Sequence, residues 1–148
     1  MSDPRPTLAL ARQVLENQPF SVLLGARVAE FGESRAVIEI DIRPQLCQHD
    51  GFLHGGVLGY AADSALTFAA GTVLGASLLT AGFTIDYLRP AKGAMLRAIA
   101  DVVNATGSRA TTRCDLFTVD ERGTASLCAV AQGVVVAPQR GQAGARAS

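Results

Sequence analysis

Residues 57–74 constrain this chain more than any other stretch. Nearly every one is Ala, Val, Leu, Phe, Tyr or Gly, whichever way a helical wheel is turned. A helix apolar all round is normally buried, so the rest of the chain has to wrap it. Yet Asp63 stands inside this run. Burying an unpaired carboxylate costs several kcal/mol unless it is paired or protonated. Just ahead lie Gly55 and Gly56, whose backbone N–H groups at a helix start have no intrahelical acceptor and face the positive end of the dipole. One segment thus supplies an anion-binding helix end and, two turns on, a lone acid.

A membrane span is rejected for this run, because a central Asp costs about 2.5–3.5 kcal/mol on insertion scales. The run is also rich in Gly and Ala and poor in Leu and Ile. A chain of 148 residues, 49% apolar and 18% charged, is the size and composition of one packed domain. Thirteen basic residues balance thirteen acidic ones, leaving no basic face for a phosphate backbone, so nucleic acid is excluded as a partner. Cys47, Cys114 and Cys128 are odd in number and share no close spacing, which fits neither a disulfide framework nor a metal knuckle. Cys114 and Cys128 lie in apolar runs and read as packing residues. The first residues lack the apolar core of a signal peptide, and a reduced cytoplasmic setting is expected.

Along the chain, residues 7–16 place Leu8, Ala11 and Leu15 on one face of a short helix closed by Asn17-Gln18-Pro19. Two β runs follow, at 27–31 and 36–43. In the second, Ile38, Ile40 and Ile42 alternate with Glu39, Asp41 and Arg43, the period of a half-buried strand. Residues 45–52 read as a loop into the long helix, which Gly71 or Gly75 stops. Four further β runs, at 80–88, 94–105, 110–119 and 124–136, are joined by short connections, which implies an antiparallel meander. The expected fold is α+β: an antiparallel sheet of five or six strands wrapped round one long central helix. An N-terminal helical segment (1–19), a domain at 20–137 and a small polar tail (138–148) with the composition of a disordered segment complete the chain. The open sheet edges favour self-association.

Helical spacing puts Gly56, Asp63 and Thr67 on one face. That pattern suits hydrolysis at a carbonyl carbon, which needs a polarised carbonyl and an activated water but no metal. Helix-end N–H groups supply an oxyanion donor worth about 2.7–4 kcal/mol, and a partly desolvated carboxylate supplies the base. Other readings stand beside these. Asp63 can be a structural acid bonded to a neighbouring loop. His54 is either a catalytic base or, the favoured reading, the residue that positions the loop before the helix. His49 and Asp50 read as loop polars. A zinc site from His49, Asp50 and His54 matches no familiar ligand spacing, so no metal is expected. Gly59 suits close helix–sheet approach.

The His54-Gly55-Gly56 triplet, a carboxylate nine residues after the histidine, and Tyr87-Leu88-Arg89-Pro90 resemble the hotdog-fold acyl-CoA thioesterases of the phenylacetic acid degradation and 4-hydroxybenzoyl-CoA thioesterase types. The resemblance covers roughly residues 19–137. It implies that Asp63 is the general base or nucleophile and that the Gly55 N–H polarises the thioester carbonyl. Gln48 then orients the water or acyl group, and Thr67 or Thr80 holds the water. It also implies coenzyme A binding at a subunit interface, with Gly56, Phe83, Arg89 and Arg109 as contact residues, although a solvated Arg109 is an equal reading. The expected assembly is a homodimer built into a homotetramer, with no cofactor beyond the coenzyme A of the substrate. A non-catalytic acyl-CoA-binding module is the alternative. It would be favoured by loss of the acid or an attached DNA-binding segment, and residues 1–20 are too short for a helix-turn-helix. A dehydratase lacks a second acid or histidine to serve it. The acyl group is not readable: Phe68, Phe83 and Tyr87 suit an aryl or an alkyl pocket equally.

Overall fold

The computed structural model describes residues 5–138. The tail expected at 138–148 lies, beyond Pro138, outside the described residues. The elements run α1 (Leu8–Glu16), α2 (Pro19–Leu24), β1 (Arg27–Gly32), β2 (Arg35–Asp41), α3 (Gly55–Leu74), β3 (Leu79–Tyr87), β4 (Met95–Thr106), β5 (Arg109–Val119) and β6 (Ala125–Val136). Six antiparallel strands form one sheet in the order β1-β2-β4-β5-β6-β3. The sheet wraps α3, which packs against every strand.

Glycine content and spacing decide where α3 begins and ends. His54 is its N-cap, and Gly75, at φ 87°, ends it in a conformation that residues with a Cβ rarely adopt. Of the two glycines offered as stops, Gly75 is the one used. By length and composition the helix could cross a membrane, at a mean hydropathy of 1.3, but its apolar residues serve the core. Leu58, Ala61, Ala62, Ala65, Leu66 and Ala69 are buried against Ile38, Ile40, Leu96, Leu116 and Ala129 of the sheet. A fully buried Leu or Ile contributes about 1.5–3 kcal/mol, and the alanines let the strands come close. The opposite stripe, Gly59, Tyr60, Asp63, Ser64, Thr67 and Phe68, is only half covered. The helix is therefore not buried all round, and Asp63 sits on its open side.

Two sequence expectations are corrected. The four last strands are not a simple meander: β4, β5 and β6 follow one another, but β3 pairs with β6 and β4 pairs with β2. The link from β3 to β4 contains Arg89-Pro90 and is not a hairpin turn. Its Ala91 is buried and its carbonyl accepts from Leu53 N–H at 2.9 Å, which carries the chain across the open end of the sheet to β2. Secondly, Pro19 does not simply close α1 but opens α2 at its first turn, and Gly25 (φ 70°) caps that helix. Proline at the start and glycine after the end is the usual helix asymmetry. Ala11 and Leu15 of α1 join the main core, so the N-terminal helix packs as part of the domain.

Gly133 of β6 faces Phe83 of β3. A Cβ there would stand 2.6 Å from Phe83 Cβ and 2.7 Å from the Gly82 carbonyl oxygen. Gly133→Ala is expected to lower unfolding stability by about 1–3 kcal/mol, the usual penalty of overpacking. Urea denaturation of the two proteins checks this, and an unchanged midpoint would show that β3 is free to move.

Buried cysteines behave as packing residues. Cys114 and Cys128 are fully buried, and burial raises both thiol pKa values above their ordinary range. Neither is a reactive thiolate.

Candidate active site

The site is built at two places along α3, its start and a point two turns further on. At the start of α3, His54 Nδ1 accepts from Gly56 N–H at 2.8 Å, and the His54 carbonyl accepts from Val57 N–H at 2.9 Å. One residue thereby occupies two of the orphan donors of the first turn. The Gly56 N–H is consumed by the cap, whereas Gly55, the first helical residue, has no intrahelical acceptor for its own. Because Nδ1 is an acceptor, a neutral His54 carries its proton on Nε2.

Gln48 reaches the same end from the preceding loop. Its backbone N–H donates to Phe52 O at 2.8 Å, and its carbonyl accepts from Gly51 N–H at 3.0 Å. Its side-chain Oε1 accepts from Asp50 N–H. The loop is tied down where His54 N–H meets Leu46 O and where Leu53 N–H meets Ala91 O, each at 2.9 Å. Tyr87 closes the arrangement: its hydroxyl donates to the Gly55 carbonyl at 2.9 Å. Its hydroxyl and ring lie 3.3–3.6 Å from where a Gly55 Cβ would project, so a side chain there would crowd the tyrosine. Gln48, Gly55, Tyr87 and Arg89 line one cleft of about 570 Å³.

Asp63 lies two turns further along, in a different cleft of about 800 Å³ shared with Tyr60, Thr67, Thr80 and Phe83. Thr80, at the start of β3, donates to Asp63 Oδ1 at 2.6 Å. Its oxygen lies 2.9 Å from the Thr67 hydroxyl, which is also 2.9 Å from the Asp63 carbonyl. With the Thr80 proton committed to the carboxylate, Thr67 is the donor within that pair or to the backbone. Both hydroxyls named from sequence therefore converge on Asp63, and Thr80 is the one that touches its carboxylate. No donor among the described residues reaches Oδ2.

The remaining predicted residues are placed as follows. Phe83 lines the Asp63 cleft and also a shallow groove with Arg109. Arg109 is exposed at the β4–β5 turn, where Gly107 has φ 56°, away from the Gln48 cleft. Arg89 is exposed beside Gln48 and Gly55. His49 and Asp50 face each other at 3.5 Å with side chains 89% and 66% exposed, and no three metal-ligating side chains converge among the described residues.

Sequence reasoning missed a third group. Tyr60 donates to Ser21 Oγ at 2.5 Å, and Ser21 donates to Gln18 at 2.7 Å. This chain fixes α2 over the Asp63 cleft. Its members lie 39 residues apart, and only the Pro19…Gly25 frame of α2 hinted at it. The Tyr87 contact to Gly55 likewise spans 32 residues, although Tyr87 stands in the quoted Tyr-Leu-Arg-Pro motif.

A six-stranded sheet around one long helix, with an acid on the helix face and a glycine-rich helix start, is the hotdog fold of thioesterases. Residues 50–125, more than half of the chain, match the Thioesterase superfamily, and the chain belongs to that family. The structure is similar to that of a thioesterase family protein from Silicibacter pomeroyi, with 25% identity, a TM-score of 0.80, and 85% of this chain and 93% of that one covered. It is also similar to a variant of the phenylacetic acid degradation protein PaaI of Thermus thermophilus, with 30% identity, a TM-score of 0.71, and 82% and 100% covered. A Mycobacterium tuberculosis protein named "Putative esterase Rv1847" is 31% identical over 88 residues, which are 56% of this chain and 63% of that protein. Membership and these likenesses support thioester hydrolysis in general.

Proposed function

We propose that the protein is an acyl-CoA thioesterase. The observation that carries this reading is the Asp63–Thr80–Thr67 cluster, set on the half-open face of α3 in a cleft of its own. The second half of the machinery, the free Gly55 N–H with Gln48, lies in another cleft about 12 Å along the helix axis. A reacting carbonyl and its attacking oxygen must approach to about 3–3.5 Å, so Gly55 and Asp63 of one chain do not meet at one ester. Two chains packed with their α3 stripes antiparallel, and with the unpaired outer edges of β3 side by side, bring Gln48 and Gly55 of one chain to Asp63 of the other. The half-covered stripe and the edge position of β3 favour this homodimer, and a homotetramer follows from pairing of dimers.

In the proposed reaction, Asp63 takes a proton from water that attacks the thioester carbon. Alternatively its carboxylate attacks directly, and water then cleaves the mixed anhydride. In both, the carbonyl oxygen takes on negative charge against the Gly55 N–H, the C–S bond breaks, and coenzyme A leaves as a thiolate, which takes the proton held by Asp63 in the first route and a proton from water in the second. Water and the ester are the only reactants, so no cofactor is required, and the setting proposed is the cytoplasm. His54 serves by holding the first turn in place. The non-catalytic module is less favoured because Oδ2 of Asp63 meets no donor among the described residues and is open to a water or an ester.

A panel of acyl-CoA esters assayed by release of free thiol tests the reading; no release above the blank from any ester would sink it. Arg89 borders the Gln48 cleft, where the coenzyme A phosphates are expected. Arg89→Ala should raise KM severalfold at low salt, and the difference should shrink above about 0.5 M salt as charge is screened. Arg109→Ala, on its separate groove, should do the same if the partner chain brings that groove to the cleft mouth. Unchanged KM for both variants at low salt would place the coenzyme A elsewhere.

A further inference from the structure

We infer that a second, apolar cavity adjoining the Asp63 cleft is an acyl channel that selects unbranched aliphatic chains of medium length. The inference rests on Asp63 being the reacting acid. The cavity, of about 250 Å³, lies between α1, the C-terminal half of α3 and the segment before β3. Gln18, Thr67 and Leu78 line both it and the Asp63 cleft, so the two adjoin across these three side chains. The Thr67 hydroxyl is 2.9 Å from that of Thr80, which binds the Asp63 carboxylate at 2.6 Å. In the inferred binding mode, an ester whose carbonyl stands at Asp63 sends its acyl tail past Thr67.

Beyond that point the walls are apolar. Leu10 and Val14 come from α1, and Phe68 stands edge-on to Phe31 with ring centroids 6.4 Å apart. None of the described lining residues is charged, so a carboxylated or amino acyl group would lose its hydration there without a partner. Leu10 and Val14 remain 41% and 42% exposed, which leaves apolar surface for a ligand to cover. Along α3 the lining runs from Thr67 to Gly75, eight residues or about 12 Å. An extended chain advances about 1.2 Å per bond, which gives room for about ten carbons. The long dimension favours a flexible alkyl chain over a single ring. Gly71 sets the width: a Cβ on it would lie 3.8 Å from both Leu78 Cδ1 and Phe31 Cε2, in ordinary contact. The backbone thus admits a Cβ, and the further carbons of a larger residue would take up channel space against Leu78 and Phe31.

The experiment compares straight-chain acyl-CoA esters from two to sixteen carbons, with benzoyl-CoA alongside. For the wild type, kcat/KM should rise about fourfold per methylene, level off near ten carbons, and exceed that for benzoyl-CoA. Gly71→Leu should lower the decanoyl-to-butyryl ratio of kcat/KM by at least about tenfold. Leu10→Asp, a change on the exposed side of α1 that spares the core, should lower the same ratio. Titration calorimetry with decanoate gives a readout independent of turnover: the wild type should bind it, and both variants should bind it more weakly. A series without length dependence, a preference for benzoyl-CoA, or an unaltered ratio in both folded variants overturns the channel. If no ester is cleaved, the thioesterase reading fails, and calorimetry alone decides the channel: decanoate binding weakened by Leu10→Asp sustains it, and absence of binding overturns it.

Discussion

Asp63→Asn is expected to lower kcat by about 10²–10⁴-fold, the usual loss when a general base is removed, while the fold stays intact. The amide oxygen can still accept from Thr80, whose hydroxyl lies 2.6 Å from Oδ1. The side chain keeps its shape on a half-covered face, so no cavity or orphaned donor is created. What disappears is proton affinity or nucleophilicity at the carboxylate, which acts only in the transition state. KM should therefore change far less than kcat. A variant with an unchanged urea midpoint but more than about a tenth of wild-type kcat removes Asp63 from the mechanism. Thr80→Val extends the test, since it deletes the one hydroxyl that touches the carboxylate. A smaller fall in kcat than for Asp63→Asn is expected.

The second large effect concerns restoration of activity. Gln48→Ala and Asp63→Ala should each be nearly inactive as homodimers. Unfolded together in equal amounts and refolded, they should regain about a quarter of wild-type activity if pairing is random. Half of the dimers are then mixed, and each mixed dimer holds one intact and one doubly damaged site. The basis is the separation described above: Gln48 and Gly55 share one cleft, and Asp63 shares another. If each chain made its own complete site, mixing would restore nothing. Refolding each variant alone controls for residual activity.

The main elements were legible because their signals are local. The uniform apolarity of 57–74, the alternation of Ile38, Ile40 and Ile42, and the Asp63–Thr67 spacing all follow from backbone periodicity. Strand order was not legible in the same way. Short links suggest neighbours, but the β3–β4 link is held by Leu53 and Ala91, a contact across 38 positions that no local pattern encodes. The same holds for Tyr87 against Gly55 and for Tyr60 against Ser21, where tertiary packing alone supplies the partner. Asp63 was expected to be buried because composition cannot distinguish a face covered by a sheet from one left open. The helix has both, and only the sheet's curvature separates them.

One rigid rod, α3, holds the Gly55 donor at its first residue and the Asp63 acid at its ninth. In the proposed dimer, each reaction centre takes its donor from one rod and its acid from the other. A slide of either rod along its axis would then shift a donor at one centre and an acid at the other by the same amount. In such a dimer the two centres would be geared together, and an ester that draws one pair of groups inward would reset the spacing of its twin. Substrate saturation curves should accordingly depart from a simple hyperbola, or a pre-steady-state burst should count one thiol per two chains.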